Sequence, residues 1–105
     1  MIAYIYDQDT LAGELEFNGK FYSFVYDKAF LNSRKNQAIS LTLPKQKEPF
    51  VSDYLHPFFS NLLAEGNLKK LQCKKLKIDE SDEFTRLLKT ATDDTIGTIT
   101  IREKL

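Results

Sequence analysis

The most constraining stretch of the chain is Leu11–Tyr26, two alternating runs on either side of Asn18-Gly19. Leu11, Gly13, Leu15 and Phe17 alternate with Ala12, Glu14 and Glu16. Tyr22, Phe24 and Tyr26 alternate with Phe21, Ser23 and Val25. A period of two is the mark of a strand with one face buried. Asn-Gly between two such runs predicts a β-hairpin with a two-residue type I′ turn, because that turn needs positive φ at both positions. This loop pairs Phe17 with Lys20, Leu15 with Tyr22 and Gly13 with Phe24. Leu11, Leu15, Phe17, Tyr22, Phe24 and Tyr26 then share the core face. Phe21, Ser23 and Val25 lie opposite, beside Glu14 and Glu16, and that face is mixed rather than polar. A one-layer core needs only one face, so the other must be covered by helices or by a partner.

Further elements read from the same rules. Residues 2–6 are β-branched and aromatic and suit a strand, ended by turn chemistry at Asp7-Gln8-Asp9-Thr10. Asp27 to Lys35 is a short irregular or one-turn helical stretch in which Ala29, Phe30 and Leu31 can tuck inward. Residues 38–43 alternate as a strand, with Ile39, Leu41 and Leu43 on one face, ended by Pro44; 45–51 read as a polar loop. Ser52 or Asp53 caps a helix whose stripe is Leu55, Phe58, Phe59, Leu62 and Leu63. Pro57 sits in its first turn and Gly66 just past its end. Asn67 caps a second helix over 68–76, with Leu68, Leu71 and Leu76 inward. Asp79 or Ser81 caps a third, with Phe84, Leu87, Leu88 and Ala91 inward and Asp82 and Glu83 in its first turn. Residues 95–102 alternate as a closing strand. The expected fold is α+β: a small twisted, mainly antiparallel sheet of about five strands, tending toward a barrel, with two or three helices inserted before the last strand. At 105 residues this is a single domain, 1–105.

Chemistry is sparse. Fifteen basic residues balance fifteen acidic ones, which argues against a dedicated nucleic-acid binder. Cys73 is the only cysteine and His56 the only histidine, too few for a structural zinc site. The single cysteine fits a reducing, cytoplasmic setting. No run approaches the roughly 20 apolar residues of a membrane span, and no basic n-region marks a signal peptide. Glu14 and Glu16 alternate on a strand face and read as solubilising. Lys69, Lys70, Lys74, Lys75 and Lys77 read as a solvated helix face, available to an anionic partner. No Gly-rich phosphate loop is present. The reading is non-enzymatic, with no catalytic, metal or cofactor residues, and the thirteen aromatics point to binding.

Three segments carry a resemblance: Ala38-Ile39-Ser40-Leu41-Thr42-Leu43-Pro44, then Phe58-Phe59-Ser60-Asn61-Leu62-Leu63-Ala64-Glu65-Gly66, then Asp94-Thr95-Ile96-Gly97-Thr98-Ile99-Thr100-Ile101. In order and spacing they resemble the N-terminal subdomain of HipA-type serine/threonine kinases, with its SLSLP strand, FFxNLLPEG helix end and closing D-S/C-x-G-A-x-x-L strand. Ala64 departs from the family, which usually has proline there. The kinase body of a fused HipA does not follow. The first methionine and the charged ending suggest a short gene product, similar to the small HipS subunits of tripartite HipBST toxin–antitoxin systems. The resemblance implies an antitoxin that binds a HipT-like kinase toxin, with a HipB-like DNA-binding protein as third member. With no phosphate loop, metal-binding acid pair or catalytic base in a suitable setting, no ATP binding and no kinase activity are expected. The alternative is a stand-alone structural subdomain that scaffolds the kinase without inhibiting it. Candidate contacts are the inter-helix turn Ala64, Glu65, Gly66, Asn67 with Leu68, and the outer strand face at Phe21 and Val25. The chain has no tryptophan. Without a large aromatic anchor at the turn, docking or conformational restraint is expected rather than plugging of an active site.

Overall fold

The computed structural model describes residues 1–91 and 98–105. The elements are β1 (Ile2–Asp7), β2 (Thr10–Phe17), β3 (Tyr22–Tyr26), α1 (Lys28–Asn32), β4 (Phe50–Ser52), α2 (Pro57–Ser60), α3 (Gly66–Leu76), α4 (Glu83–Thr90) and β5 (Ile99–Arg102). The strands form one antiparallel sheet in the order β4-β3-β2-β1-β5. This is the expected α+β domain, but the sheet stays open, with β4 and β5 as its edges, and does not close into a barrel.

The β2–β3 hairpin has a four-residue connection. Phe17 pairs with Tyr22, Leu15 with Phe24 and Gly13 with Tyr26. The type I′ turn does not form because the Asn18 side chain takes another role. Its Oδ1 accepts from the backbone N–H of Lys20 at 2.9 Å and of Phe21 at 2.7 Å, an Asx turn that outcompetes the tighter loop. The register therefore slides by two. A slip of two preserves side-chain parity, so Leu15, Phe17, Tyr22, Phe24 and Tyr26 still share the core face, where Leu15, Phe24 and Tyr26 are buried. Between Ile5 and Tyr6 the β1–β2 register shifts, with Ile5 opposite Gly13 and Tyr6 opposite Leu11. The extra residue is Ala12, fully buried at this bulge.

Helix α1 is held by Asp27, whose Oδ2 accepts from Ala29 N and Phe30 N. Phe30 is buried and Leu31 half-buried, while Ala29 is exposed. Residues 38–43 are not a strand. They make a tight turn closed by a Ser40–Leu43 bridge, and the fourth strand is Phe50–Ser52, from the stretch read as polar loop. Hydroxyl chemistry decides it: Ser40 Oγ accepts from Thr42 N at 3.2 Å and lies 2.9 Å from Thr42 Oγ1, which folds the alternating run back on itself.

The stripe Leu55, Phe59 and Leu63 is buried and Phe58 and Leu62 pack against it, although the helix there is only the four residues of α2. His56, not Ser52 or Asp53, caps α2: its Nδ1 accepts from Phe58 N at 3.0 Å. In α4 the stripe Phe84, Leu87, Leu88 and Ala91 is buried as expected. Its cap is Asp82, whose Oδ1 accepts from Thr85 N at 3.1 Å. Asp79 instead accepts from the Ser81 N–H and hydroxyl, which hold its carboxyl below the usual range. In the closing strand Ile99 and Ile101 are buried against β1; its expected start at 95–97 lies outside the described residues.

Burial pushes the His56 imidazole below its ordinary value of 6.5, opposed by a hydrogen bond to the Thr42 backbone. A protonated Nδ1 cannot accept the cap bond. The unfolded chain therefore takes up its proton first as pH falls, and stability is lost from about 6.5 downward to the lower folded-state value. Unfolding midpoints measured across that window should fall with pH in the parent. In His56→Asn they should fall less, because the cap acceptor no longer titrates.

Candidate partner-binding surface

Exposed apolar side chains stand on ordered backbone at the Ser40–Leu43 turn and on α3. The first part of this surface is the Ser40–Leu43 turn. Tyr26, buried on β3, donates its hydroxyl to the Leu43 carbonyl and accepts from Ile39 N at 3.1 Å. Leu43 is buried by this clamp, whereas Leu41 at the tip is fully exposed. The expectation that Leu41 shares one strand face with Ile39 and Leu43 is thereby corrected. Beside the turn, Ser40, Thr42, Pro57, Phe58, Asn61 and Leu62 line a hollow of ≈ 340 Å³.

Tyr26→Phe removes the only side chain that holds both ends of this turn, leaving the buried Leu43 carbonyl unpaired. We expect a loss of about 1–2 kcal/mol in denaturant unfolding. Exchange of the Leu43 amide, bonded to Ser40 O at 3.1 Å, should quicken more than that of the sheet amides.

The second part is the α2–α3 turn. Asn61 also borders a hollow of ≈ 380 Å³ formed with Ser60, Leu63, Ala64, Glu65, Gly66, Lys69, Glu83 and Arg86, so the two hollows adjoin. Gly66 has φ +61, a left-handed conformation that favours glycine. It opens α3 rather than trailing the preceding helix, and Glu65, not Asn67, is the capping residue. Glu65, Gly66, Asn67 and Leu68 are exposed and Ala64 half-buried. The turn therefore presents most of its candidate residues to solvent.

Helix α3 departs furthest from expectation. Leu68, Leu71 and Leu76 are not inward; they are 55%, 63% and 45% exposed, and Cys73 is the only buried residue of the eleven. At 100° per residue, Leu68 and Leu71 lie within one turn on the same side of the helix. The lysines of this segment are exposed except Lys69, which is half-buried.

The outer strand face is a separate region. Phe21 is exposed in the hairpin turn under the Lys20 ammonium, 5.4 Å from its ring centroid. Val25 is half-buried at the other end of β3, about 13 Å away along a strand. The two do not form one patch. Around Val25, Tyr4 is half-buried and Ile2 and Val51 are exposed, while Arg102 lies 3.9 Å over the Tyr6 ring.

The profile of the HipA N-terminal domain matches residues 3–102. The chain belongs to this family. Its fold superposes on a solved N-terminal domain of HipA toxin with a TM-score of 0.69 at 29% identity, covering 99% of this chain and 94% of that one. An uncharacterized protein of Haemophilus influenzae is 39% identical over 66 residues, 63% of this chain and 61% of its own length. A Sinorhizobium fredii protein named "Putative kinase Y4mE" is 31% identical over 64 residues, 61% of this chain but 15% of its own length. The chain thus matches the HipA N-terminal domain. The alternating run 38–43, which resembles the family's first motif, is the turn that presents Leu41. The motif at 58–66 forms α2 and the turn into α3. Leu41 and the α3 leucines are the surface residues that sequence reading misplaced. The signs available were the Ser40 and Thr42 hydroxyls flanking Leu41 and the five lysines within 69–77.

Proposed function

We propose that this chain is a non-catalytic, HipS-like antitoxin subunit that binds a HipA-like (HipT) serine/threonine kinase in the cytoplasm and restrains it, in a complex whose third member is a HipB-like DNA-binding protein. The observation that carries this reading is the surface just described. Leu41 is held outward by a buried tyrosine clamp, and Leu68 and Leu71 stand on a helix that buries one side chain. Leucines fixed in solvent on ordered backbone fit a surface covered by a partner. The family membership supports a HipA-like kinase as that partner. The match to one seventh of a kinase-named protein favours a second reading, a structural subdomain that completes a kinase without inhibiting it.

Co-expression with a HipA-like kinase lacking this domain tests both. Co-purification with suppressed autophosphorylation supports the antitoxin reading. Co-purification with undiminished activity supports the structural one, and no association refutes both. Leu41→Asp and Leu68→Asp should each weaken association about tenfold or more, as for buried anchor residues, with little change in melting temperature. Glu65→Ala and Asn67→Ala, both exposed, should leave the fold intact.

A further inference from the structure

Arg86 is the one buried charged side chain among the described residues, 5% exposed. Its Nη2 donates to the Ala64 carbonyl at 2.7 Å and its Nη1 to the Glu80 carbonyl at 3.4 Å. A guanidinium carries five N–H donors, and no carboxylate lies within 4.0 Å of it among the described residues. Carbonyl oxygens take up part of its hydrogen-bonding capacity but do not neutralise its charge. Burying a cation without a counter-charge is costly, and Arg86 lines a hollow open to solvent.

Lys69, the start of α3 and the Asn61 amide share that hollow. Lys69, half-buried, lines it and pairs with no acid among the described residues. The eleven-residue helix α3 begins there at Gly66, with no side-chain cap from Glu65 and no acid in its first turn, so its N–H groups and positive dipole end are left free. The Asn61 amide lines the hollow as a neutral donor, while the Ser60 hydroxyl donates to the Pro57 carbonyl at 3.4 Å. Glu65 and Glu83 also line the hollow. They disfavour a long polyanion such as nucleic acid and leave room for one small anion that engages Arg86 directly.

We propose that the hollow between the α2–α3 turn and α4 is a binding site for a single oxyanion, a phosphate or carboxylate group, held by Arg86 and Lys69 at the N-terminus of α3. Arg86 supplies the planar fork that matches two oxygens, and Lys69 a movable charge from the helix side. The hollow adjoins the leucine surface at the start of α3, and the proposal stands whether or not a kinase is the partner.

Titration of the isolated chain with inorganic phosphate, and separately with acetate, at constant ionic strength set with chloride tests it. Amide chemical shifts of Gly66, Asn67 and Leu68 and the Arg86 side-chain N–H give the readout. We expect saturable changes confined to these groups; saturation by phosphate identifies a phosphoryl site and saturation by acetate alone a carboxylate site. Lys69→Ala should weaken binding about tenfold, the loss that accompanies one charge-assisted hydrogen bond. Arg86→Gln should abolish it; because that change sits in the interior, Lys69→Ala and the parent titration decide the matter should it not fold. No saturable change with either anion, or equal affinity in Lys69→Ala, overturns the proposal.

Discussion

Phe59→Ala should cost about 3–5 kcal/mol, the range for removing a fully buried aromatic ring. Phe59 is completely buried. Its ring lies 5.6 Å from that of Phe24 on the sheet and 5.2 Å, edge-on, from Phe58, with the His56 imidazole at 6.5 Å. A four-residue helix has no stability of its own, since one turn costs more in fixed dihedrals than it returns in hydrogen bonds. Helix α2 persists because Phe59 anchors it between the sheet and α4. Removal of the ring leaves a cavity beneath both the helix and the turn that follows. For a domain of this size, such a loss is a fall in melting temperature on the order of 15–30 °C. Calorimetry or circular dichroism would check it. A variant that melts within a few degrees of the parent would mean that the ring is not the anchor.

The same ring shows what the sequence makes legible. Spacing placed Leu55, Phe59 and Leu63 in the core, and they are there, because a 3.6-residue stripe beside a proline and a glycine has one economical burial. Strand faces were largely legible: the hairpin register moved by two residues, yet Leu15, Phe17, Tyr22, Phe24 and Tyr26 kept their face, while Leu11, expected beside them, gives way to Ala12 at the bulge and is only half-buried. What alternation alone does not settle is whether a run extends or folds back. Ser40-Leu41-Thr42-Leu43 alternates like a strand, but its hydroxyls bond locally and turn it, sending Leu41 outward. The barrel expectation failed for a related reason. With 38–43 turned out of the sheet, the short Phe50–Ser52 takes the edge beside β3, and nothing joins it to β5.

Helix α3 illustrates a different limit. Leu68, Leu71 and Leu76 are spaced for a helix, and periodicity by itself does not say whether such a stripe faces the molecule's own core or a partner's. In α3 only Cys73 is buried, so the stripe does not face the molecule's own core. The turn Ala64–Leu68 was found from a motif and a glycine, and the exposure of Glu65 and Asn67 agrees with its reading. Arg86 gave no sign in the sequence, because an arginine between Thr85 and Leu87 on an amphipathic helix reads as solvated. Its burial depends on the Ala64 carbonyl, 22 residues earlier, which only the folded turn supplies.

Gly13→Ala should be the second most damaging substitution, at or above the roughly 3 kcal/mol that ends the usual range for overpacked cores. The reason is space, not backbone conformation, since positive φ among the described glycines is confined to Gly19 and Gly66. A Cβ at position 13 would lie 2.4 Å from the Val25 carbonyl oxygen and 2.9 Å from two carbons of the Phe24 ring. The ring is not free to swing away, because it packs against Tyr26, Phe50 and Phe59 at 4.9, 6.3 and 5.6 Å. The oxygen belongs to β3, an inner strand paired on both sides, so relief would require the β2–β3 ladder to part next to the Ala12 bulge. Gly66→Ala is the control. There the added methyl meets nothing within 4 Å, and only the left-handed backbone penalty of about 1–2 kcal/mol applies. Paired unfolding curves should therefore rank Gly13→Ala well below Gly66→Ala, with the amides of β2 and β3 losing exchange protection only in the former. The reverse order would show that the hairpin can open at Gly13 without disturbing the rings behind it.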